Sequence, residues 1–89
     1  MTRSEVLDTA KEYVTKDRAT THGAAENSFA LIAGLWSSYL GVEIKPHDVP
    51  AMFVLFKVAR YRSNPAHADN SVDAAGYSAL MGELGALTK

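Results

Sequence analysis

Cysteine is absent from the 89-residue sequence, and so is any marked excess of one charge. Without cysteine, the chain forms no disulfide, no thiolate metal site and no cysteine nucleophile. Nine Lys and Arg residues face ten Asp and Glu residues, for a formal net charge of -1. This balance provides no general attraction to DNA or to a membrane surface, so neither is expected as a partner.

Long apolar runs and leader sequences are also missing. The most apolar stretch, Val49–Phe56, is too short to span a bilayer and is followed closely by basic residues. The polar start, Met1–Glu5, leads into an amphipathic segment and does not resemble a signal peptide. We therefore expect a soluble protein of the cytoplasm. Phosphate loops, H-E-x-x-H zinc motifs, dinucleotide fingerprints and G-x-S-x-G elbows are absent as well.

Apolar residues recur at helical spacing, which predicts one all-α domain over residues 1–89, a compact bundle of about four helices. Local signals mark the helix ends: Gly41 is a natural residue after a helix, and Pro50 is tolerated only in a first turn. A glycine within the second helix, Gly34, suggests a close helix approach. The expected helices run from Ser4 to about Asp17, from Ala24 or Ala25 to Gly41, from His47 or Asp48 to Ser63, and from the Asp69–Ser71 caps to about Leu87.

Large aromatic residues outnumber the central positions of so small a bundle. A chain of this size has a thin margin between apolar burial and conformational entropy. Some of these rings should therefore pack between subunits, which predicts a homo-oligomer. The rings concerned are Phe29, Trp36, Phe53, Phe56 and Tyr77.

The third helix presents one basic residue among apolar ones. A face of Val49, Phe53, Phe56 and Arg60 follows from 100° of rotation per residue. A guanidinium on this face must reach water or pair with a carboxylate, because burying an unpaired charge is very costly. The fourth helix offers Asp69 and Asp73. We therefore predict that Arg60 projects inward and meets these acids.

Three polar clusters could bind a ligand. Arg18, His22 and Asn27 surround the start of the second helix, where free backbone donors favour an anion; an ordinary turn is the alternative. Lys57 and Arg60 could hold a phosphate, or only complement a helix carboxyl end.

The third cluster is acidic. With His67, the residues Asp69 and Asp73 could coordinate Mg²⁺ or Mn²⁺. The alternative is that Asp69 caps a helix and Asp73 pairs with Lys57 or Arg60. Tyr77, one turn further on, could contact a base or ribose.

Several of these residues form a combined pattern that resembles a family of small bacteriophage and prophage proteins of unknown function. The pattern covers about residues 16 to 82 and implies a phage-derived accessory protein in a bacterial cytoplasm, with no activity attached. It consists of Arg18-x3-His22-Gly23-x3-Asn27-x-Phe29, Ile32-x3-Trp36-x2-Tyr39-Leu40, Asp48-Val49-x2-Met52, Lys57-x2-Arg60 and Asn64-x4-Asp69-x3-Asp73-x2-Gly76-Tyr77.

A weaker likeness is to the all-α nucleotide pyrophosphohydrolases of the MazG-like kind. The segment Asp69-x3-Asp73-x2-Gly76-Tyr77 is similar to their later acidic helix, which implies Mg²⁺ held over a triphosphate. The paired-glutamate helix of that family is missing, since Glu26 is the sole acid of the second helix before Gly41.

Three functions follow. The first is non-catalytic binding of a phosphorylated, nucleotide-like ligand without a cofactor. The second is a structural or protein-inhibiting oligomeric adaptor. The third is Mg²⁺-dependent nucleotide pyrophosphohydrolysis, for which Glu26, Asp69 and Asp73 are the only sensible ligands. Binding residues for the first are Arg18, His22, Asn27, Lys57, Arg60, Asp69, Asp73 and Tyr77.

Overall fold

The computed structural model describes residues 1–17 and 25–87, with the backbone alone at positions 17 and 25–27. Within these ranges it contains α-helices and no strand, which confirms the all-α prediction. None of the described helices combines the length and apolarity that crossing a membrane requires. The helices are α1 (Arg3–Glu12), α2 (Ala25–Leu40), α3 (Asp48–Ser63) and α4 (Ala68–Ala86), and α1 continues as a π-helical segment over Tyr13–Asp17.

A capping box begins α1. The Thr2 hydroxyl accepts a hydrogen bond from the Glu5 amide at 3.2 Å, and the Glu5 carboxylate accepts one from the Thr2 amide at 2.9 Å. These bonds satisfy two donors that a helix start otherwise leaves exposed. The hydrogen bond from the Thr2 backbone is the main reason that the pKa of Glu5 lies below its usual value. The sequence also offers Ser4 as the cap of this helix, and that prediction is wrong, because Ser4 already lies inside the helix.

Gly41 ends α2, as predicted. Its φ of 72° lies in the left-handed region, where glycine carries no Cβ penalty. Its amide donates to the Ser37 carbonyl at 2.9 Å. The Ser37 hydroxyl then bonds to both backbone groups of Ile44, which ties the connection to the end of α2.

The start of α3 is confirmed and that of α4 is not. Pro50 lies in the first turn of α3, where its missing N–H breaks no helical hydrogen bond. Helix α4 begins at Ala68, before the predicted caps Asp69–Ser71. Asn70 is instead 4% exposed, and its side-chain amide donates to the Asn64 carbonyl at 3.4 Å. It therefore holds the preceding loop rather than capping the helix.

The core lies where α2, α3 and α4 meet. Its buried residues are Phe29, Ala33, Val49 and Leu84. The half-buried ring of Phe53 from α3 packs against them, with ring centroids 6.2 Å from Phe29, 5.7 Å from Trp36 and 5.0 Å from Tyr77. Four of the five aromatics singled out above thus pack together within one chain. Phe56 is the exception and is 51% exposed.

Helical spacing of the apolar residues predicts that Tyr39 of α2 and Leu87 face inward, and both predictions are wrong. On α2, Tyr39 is 88% exposed, and on α4, Leu87 is 72% exposed. Both residues lie in the last helical turn or just beyond it, where the neighbouring helices no longer cover them. Val72, which the predicted inward face of α4 omitted, is buried.

Small residues let α1 and its π-helical extension approach α4. A Cβ added at Gly76 would lie 2.8 Å from Cγ1 of Val14, closer than real Cβ contacts allow. The small residue at Gly76 predicts close helix packing there, and the structure confirms it. The close approach predicted at Gly34 is wrong, since a Cβ there would meet nothing within 4 Å.

We expect Gly76→Ala to destabilise the fold by roughly 1–3 kcal/mol, because short, stiff Val14 must shift to admit a methyl group. Gly82→Ala is the matched control, since Gly82 lies on the same helix in open space. Alanine there should stabilise by roughly 0.4–1 kcal/mol through helix propensity and the unfolded state. Urea unfolding followed by circular dichroism measures both changes, and equal stabilisation in the two variants would contradict the close contact.

Candidate functional site

An ion pair joins α3 to α4. Nζ of Lys57 lies 2.8 Å from a carboxylate oxygen of Asp73, and these side chains are 16% and 32% exposed. Lys57 follows Val49 and Phe53 at intervals of four residues, so it continues the line of α3 that faces the core. The pairing of Asp73 with Lys57, one of the alternatives drawn from the sequence, is therefore the one that the structure adopts.

Arg60 does not project inward, and that prediction is wrong. Its side chain is on the exposed part of α3, with the guanidinium carbon 5.2 Å from the centroid of the Phe56 ring. The prediction placed Phe56, three residues after Phe53, on the inward face. In the structure, the inward face continues instead to Lys57, four residues after Phe53. Arg60 and Phe56 are therefore both exposed to solvent, and Arg60 forms no ion pair within the described residues.

Asp69 and Asp73, both on α4, do not form one site. Asp69 lies at the exposed start of the helix, 3.5 Å from Nε2 of His67, with its side chain 66% exposed. Asp73, one turn later, is turned toward Lys57. Arg60 therefore contacts neither of its predicted partners, and the acids divide between two separate interactions.

Tyr77 packs against the aromatic residues of the core. Its ring packs at 5.0 Å from that of Phe53, one turn beyond Asp73 on α4. The half-buried ring and the Lys57–Asp73 pair are therefore neighbours on the α3–α4 interface. This arrangement gives both groups a structural role.

The predicted anion site at the start of α2 lies outside the described side chains, since Arg18 and His22 fall in the gap and only the backbone of Asn27 is described. In the described part of the chain, no three His, Cys, Asp or Glu side chains come together as metal ligands do. Glu26, the third acid of the Mg²⁺ alternative, also has no described side chain. Binding at these positions stays a prediction.

An apolar groove of about 230 Å³ lies between α1 and α4, and none of the predicted site residues that the structure describes lines it. Leu7, Ala10 and Val14 line one side, and Ala75, Gly76 and Ala79 line the other. Small-molecule sites typically measure about 300–1,000 Å³ and carry several placed polar groups. The groove is smaller and nearly all apolar, so it does not suit a nucleotide.

The outer side of α3 carries a row of exposed residues that the sequence analysis did not predict. Five residues with exposed side chains follow one another there at spacings of four, three, four and three residues. We call this row the outer seam: Asp48, Met52, Leu55, Ala59 and Arg62. Its signal is the heptad-like spacing of apolar residues, the pattern by which helices pair along a seam. The sequence alone does not separate this row from the core-facing residues, because the same segment also contains Val49 and Phe53.

A double-mutant cycle on Lys57 and Asp73 tests the ion pair. We expect Asp73→Ala to cost about 1–3 kcal/mol, between the values for exposed and buried pairs, because it leaves a half-buried ammonium unpaired. Lys57→Met should recover part of this loss in the Asp73→Ala background. Asp69→Ala, at an exposed site, should stay within about 0.5 kcal/mol. Additive effects of the two substitutions in urea unfolding would contradict the pairing.

Comparisons with known proteins place the chain in a family. The model of the family described as Domain of unknown function (DUF6378) matches residues 5–85. The "Gene 55 protein" of Mycobacterium phage L5 is 40% identical over 80 residues, which cover 89% of this chain and 51% of that protein. The "Gene 55 protein" of Mycobacterium phage D29 is 34% identical over 76 residues, 85% of this chain and 50% of that protein.

The chain thus spans about half the length of these two relatives. No solved structure matches it significantly. The relatives confirm the predicted resemblance to small phage proteins of unknown function. With 81 of its 89 residues matched, the chain belongs to the DUF6378 family.

Proposed function

We propose that this domain is a non-catalytic protein-interaction module, the adaptor function raised from its sequence, and that it binds protein through the outer seam of α3. The observation that carries this proposal is the apolar character of α3 on two opposite sides. Val49 and Pro50 are buried, yet Leu55 on the other side is 68% exposed. A helix that is hydrophobic all round is normally covered all round.

The neighbours of the seam extend this apolar surface. Phe56 is 51% exposed and Val58 is 55% exposed, one on each side of Leu55. Contiguous apolar patches of this kind mark interaction sites on small proteins, whereas single exposed residues do not. Since the relatives belong to phages, the proposal places the module in the cytoplasm of a bacterial host, as an accessory protein.

Site-specific photo-crosslinking in the expressing bacterium tests this function. A photoreactive phenylalanine analogue at Leu55 should give adducts with protein, because the seam is covered in the cell. The same analogue at Ser78, on the exposed side of α4, is the control and should give none. Adducts with any defined protein, including this chain itself, support the proposal. A folded protein without adducts at Leu55, or with equal adducts at both positions, overturns it.

A second candidate is the phosphorylated, nucleotide-like ligand. Its support is the end of α3, where Arg60 and Arg62 are exposed and the Arg60 guanidinium lies over the Phe56 ring. Arginine binds phosphate through its planar fork of donors, and it stacks on aromatic faces. This support is narrower than that for protein binding, because Lys57 is already paired with Asp73.

Calorimetric titration with nucleoside triphosphates and cyclic nucleotides tests this second function. Binding should release heat that Arg60→Ala abolishes while the melting temperature stays unchanged, since Arg60 is exposed and its side chain forms no ion pair within the described residues. Asp69→Ala, another exposed charge, serves as the control for stability. The absence of heat with every nucleotide removes this function and leaves the first untouched.

A further inference from the structure

We infer that the outer seam binds the outer seam of a second copy of this chain, with the two α3 helices antiparallel across a twofold axis near Leu55. This inference rests on the proposed function and adds the identity of the partner. It is argued from the order of charges along the seam, from its spacing and from its exposure.

The seam begins with an acid and ends with a base. Asp48 lies in the first turn of α3 and Arg62 in the last, about 21 Å apart along the helix axis. When two copies lie antiparallel, Asp48 of each faces Arg62 of the other, and the helix dipoles also oppose each other favourably. A parallel pair would place like charges together at both ends. The seam is therefore complementary to itself in one orientation only.

The apolar residues obey the same symmetry. With the axis near Leu55, the two copies of Leu55 meet each other, and Met52 of each copy faces Ala59 of the other. A large residue then fills the space left by a small one, which is how helices interdigitate. The spacing of four, three, four and three residues keeps all these positions on one side of the helix.

The charged ends remain accessible for this contact. The Asp48 side chain is 43% exposed, although one carboxylate oxygen accepts a hydrogen bond from the Lys45 amide at 2.8 Å and the other lies 3.6 Å from His47. Arg62 is exposed and forms no ion pair within the described residues. The carboxylate can thus keep its local hydrogen bond and still receive a guanidinium from a second copy.

A second exposed stripe, on α2, does not share this property. Leu31, Leu35 and Tyr39 follow one another at intervals of four residues and are all exposed. Leu35, at 61% exposed, matches Leu55 in residue type and exposure, but no acid and base bracket its stripe as they bracket the seam. Charge order therefore selects α3 for self-association and makes Leu35 the matched control.

Disulfide trapping tests the contact directly, since the chain has no cysteine of its own. Under a mild oxidant, the purified Leu55→Cys protein should form a covalent dimer at least tenfold faster than the Leu35→Cys protein. The reason is that two residues at the axis bring their Cα atoms within disulfide range, near 6 Å. Equal rates for the two folded variants would overturn the inference.

Orientation is tested with Met52→Cys and Ala59→Cys. Antiparallel pairing predicts that a mixture of the two forms the mixed disulfide, which intact mass spectrometry distinguishes. Each variant alone should trap poorly, because like positions lie about 10 Å apart along the axis. Efficient trapping of Met52→Cys alone indicates parallel helices and overturns the proposed geometry.

Two further substitutions test the forces involved, with trapping through Leu55→Cys as the readout. R62E should slow trapping several-fold, because it sets two carboxylates against each other at both ends of the seam. R3E on α1 makes the same change in net charge and should have no effect. Equal slowing by both would show that only net charge matters and would overturn the specific pairing.

The failure of this inference is distinguishable from that of the proposed function. If Leu55→Cys traps no dimer while the photoreactive analogue at Leu55 captures a different protein, the interaction module stands and the second copy is excluded. If neither experiment gives an adduct at Leu55, both fail together.

Discussion

The ring of Phe53 is the contact on which the arrangement of the helices depends. It projects from α3 and meets Phe29 and Trp36 of α2 on one side and Tyr77 of α4 on the other. Aromatic pairs of this kind contribute about 0.5–1.5 kcal/mol each beyond their burial. One turn further along α3, Lys57 pairs with Asp73. Two successive turns thus hold α3 in one rotation against α4, with a ring contact first and an ionic contact next.

That rotation leaves α3 with a second apolar side. Val49 and Phe53 face inward. Met52 and Leu55 then face outward, because the rotation of about 100° per residue places them on the other side of the helix. Within residues 1–17 and 25–87, Leu55 stays 68% exposed on this second side. The packing that forms the core therefore also produces the apolar surface on which the proposed interaction rests.

The sequence alone could not determine which of Lys57 and Arg60 faces inward. Both are basic, both follow an apolar run, and both could be placed on a face that includes Val49 and Phe53. The choice between them depends on whether the buried line steps three or four residues beyond Phe53. The hydrophobicity of Phe56 favoured the three-residue step, which places Arg60 on the buried face. Packing against α4 chose Lys57 instead, since Asp73 lies within its reach.

Helical class and most helix ends could be read from neighbouring residues alone. A left-handed backbone favours glycine, as at Gly41, and a proline such as Pro50 is tolerated only in a first turn. Pro65 disfavours the helical conformation in the residue before it. Each of these effects acts within about four residues. The π-helical winding at Tyr13–Asp17, the loop-holding role of Asn70 and the choice of buried face could not be read in this way. Asn70 acts through a loop carbonyl six residues before it, and the choice of buried face depends on contacts between helices that are distant in the chain. Local signals therefore define where the helices of this protein lie along the chain. The association of those helices determines which side chains are buried, which charges pair and which surface stays exposed.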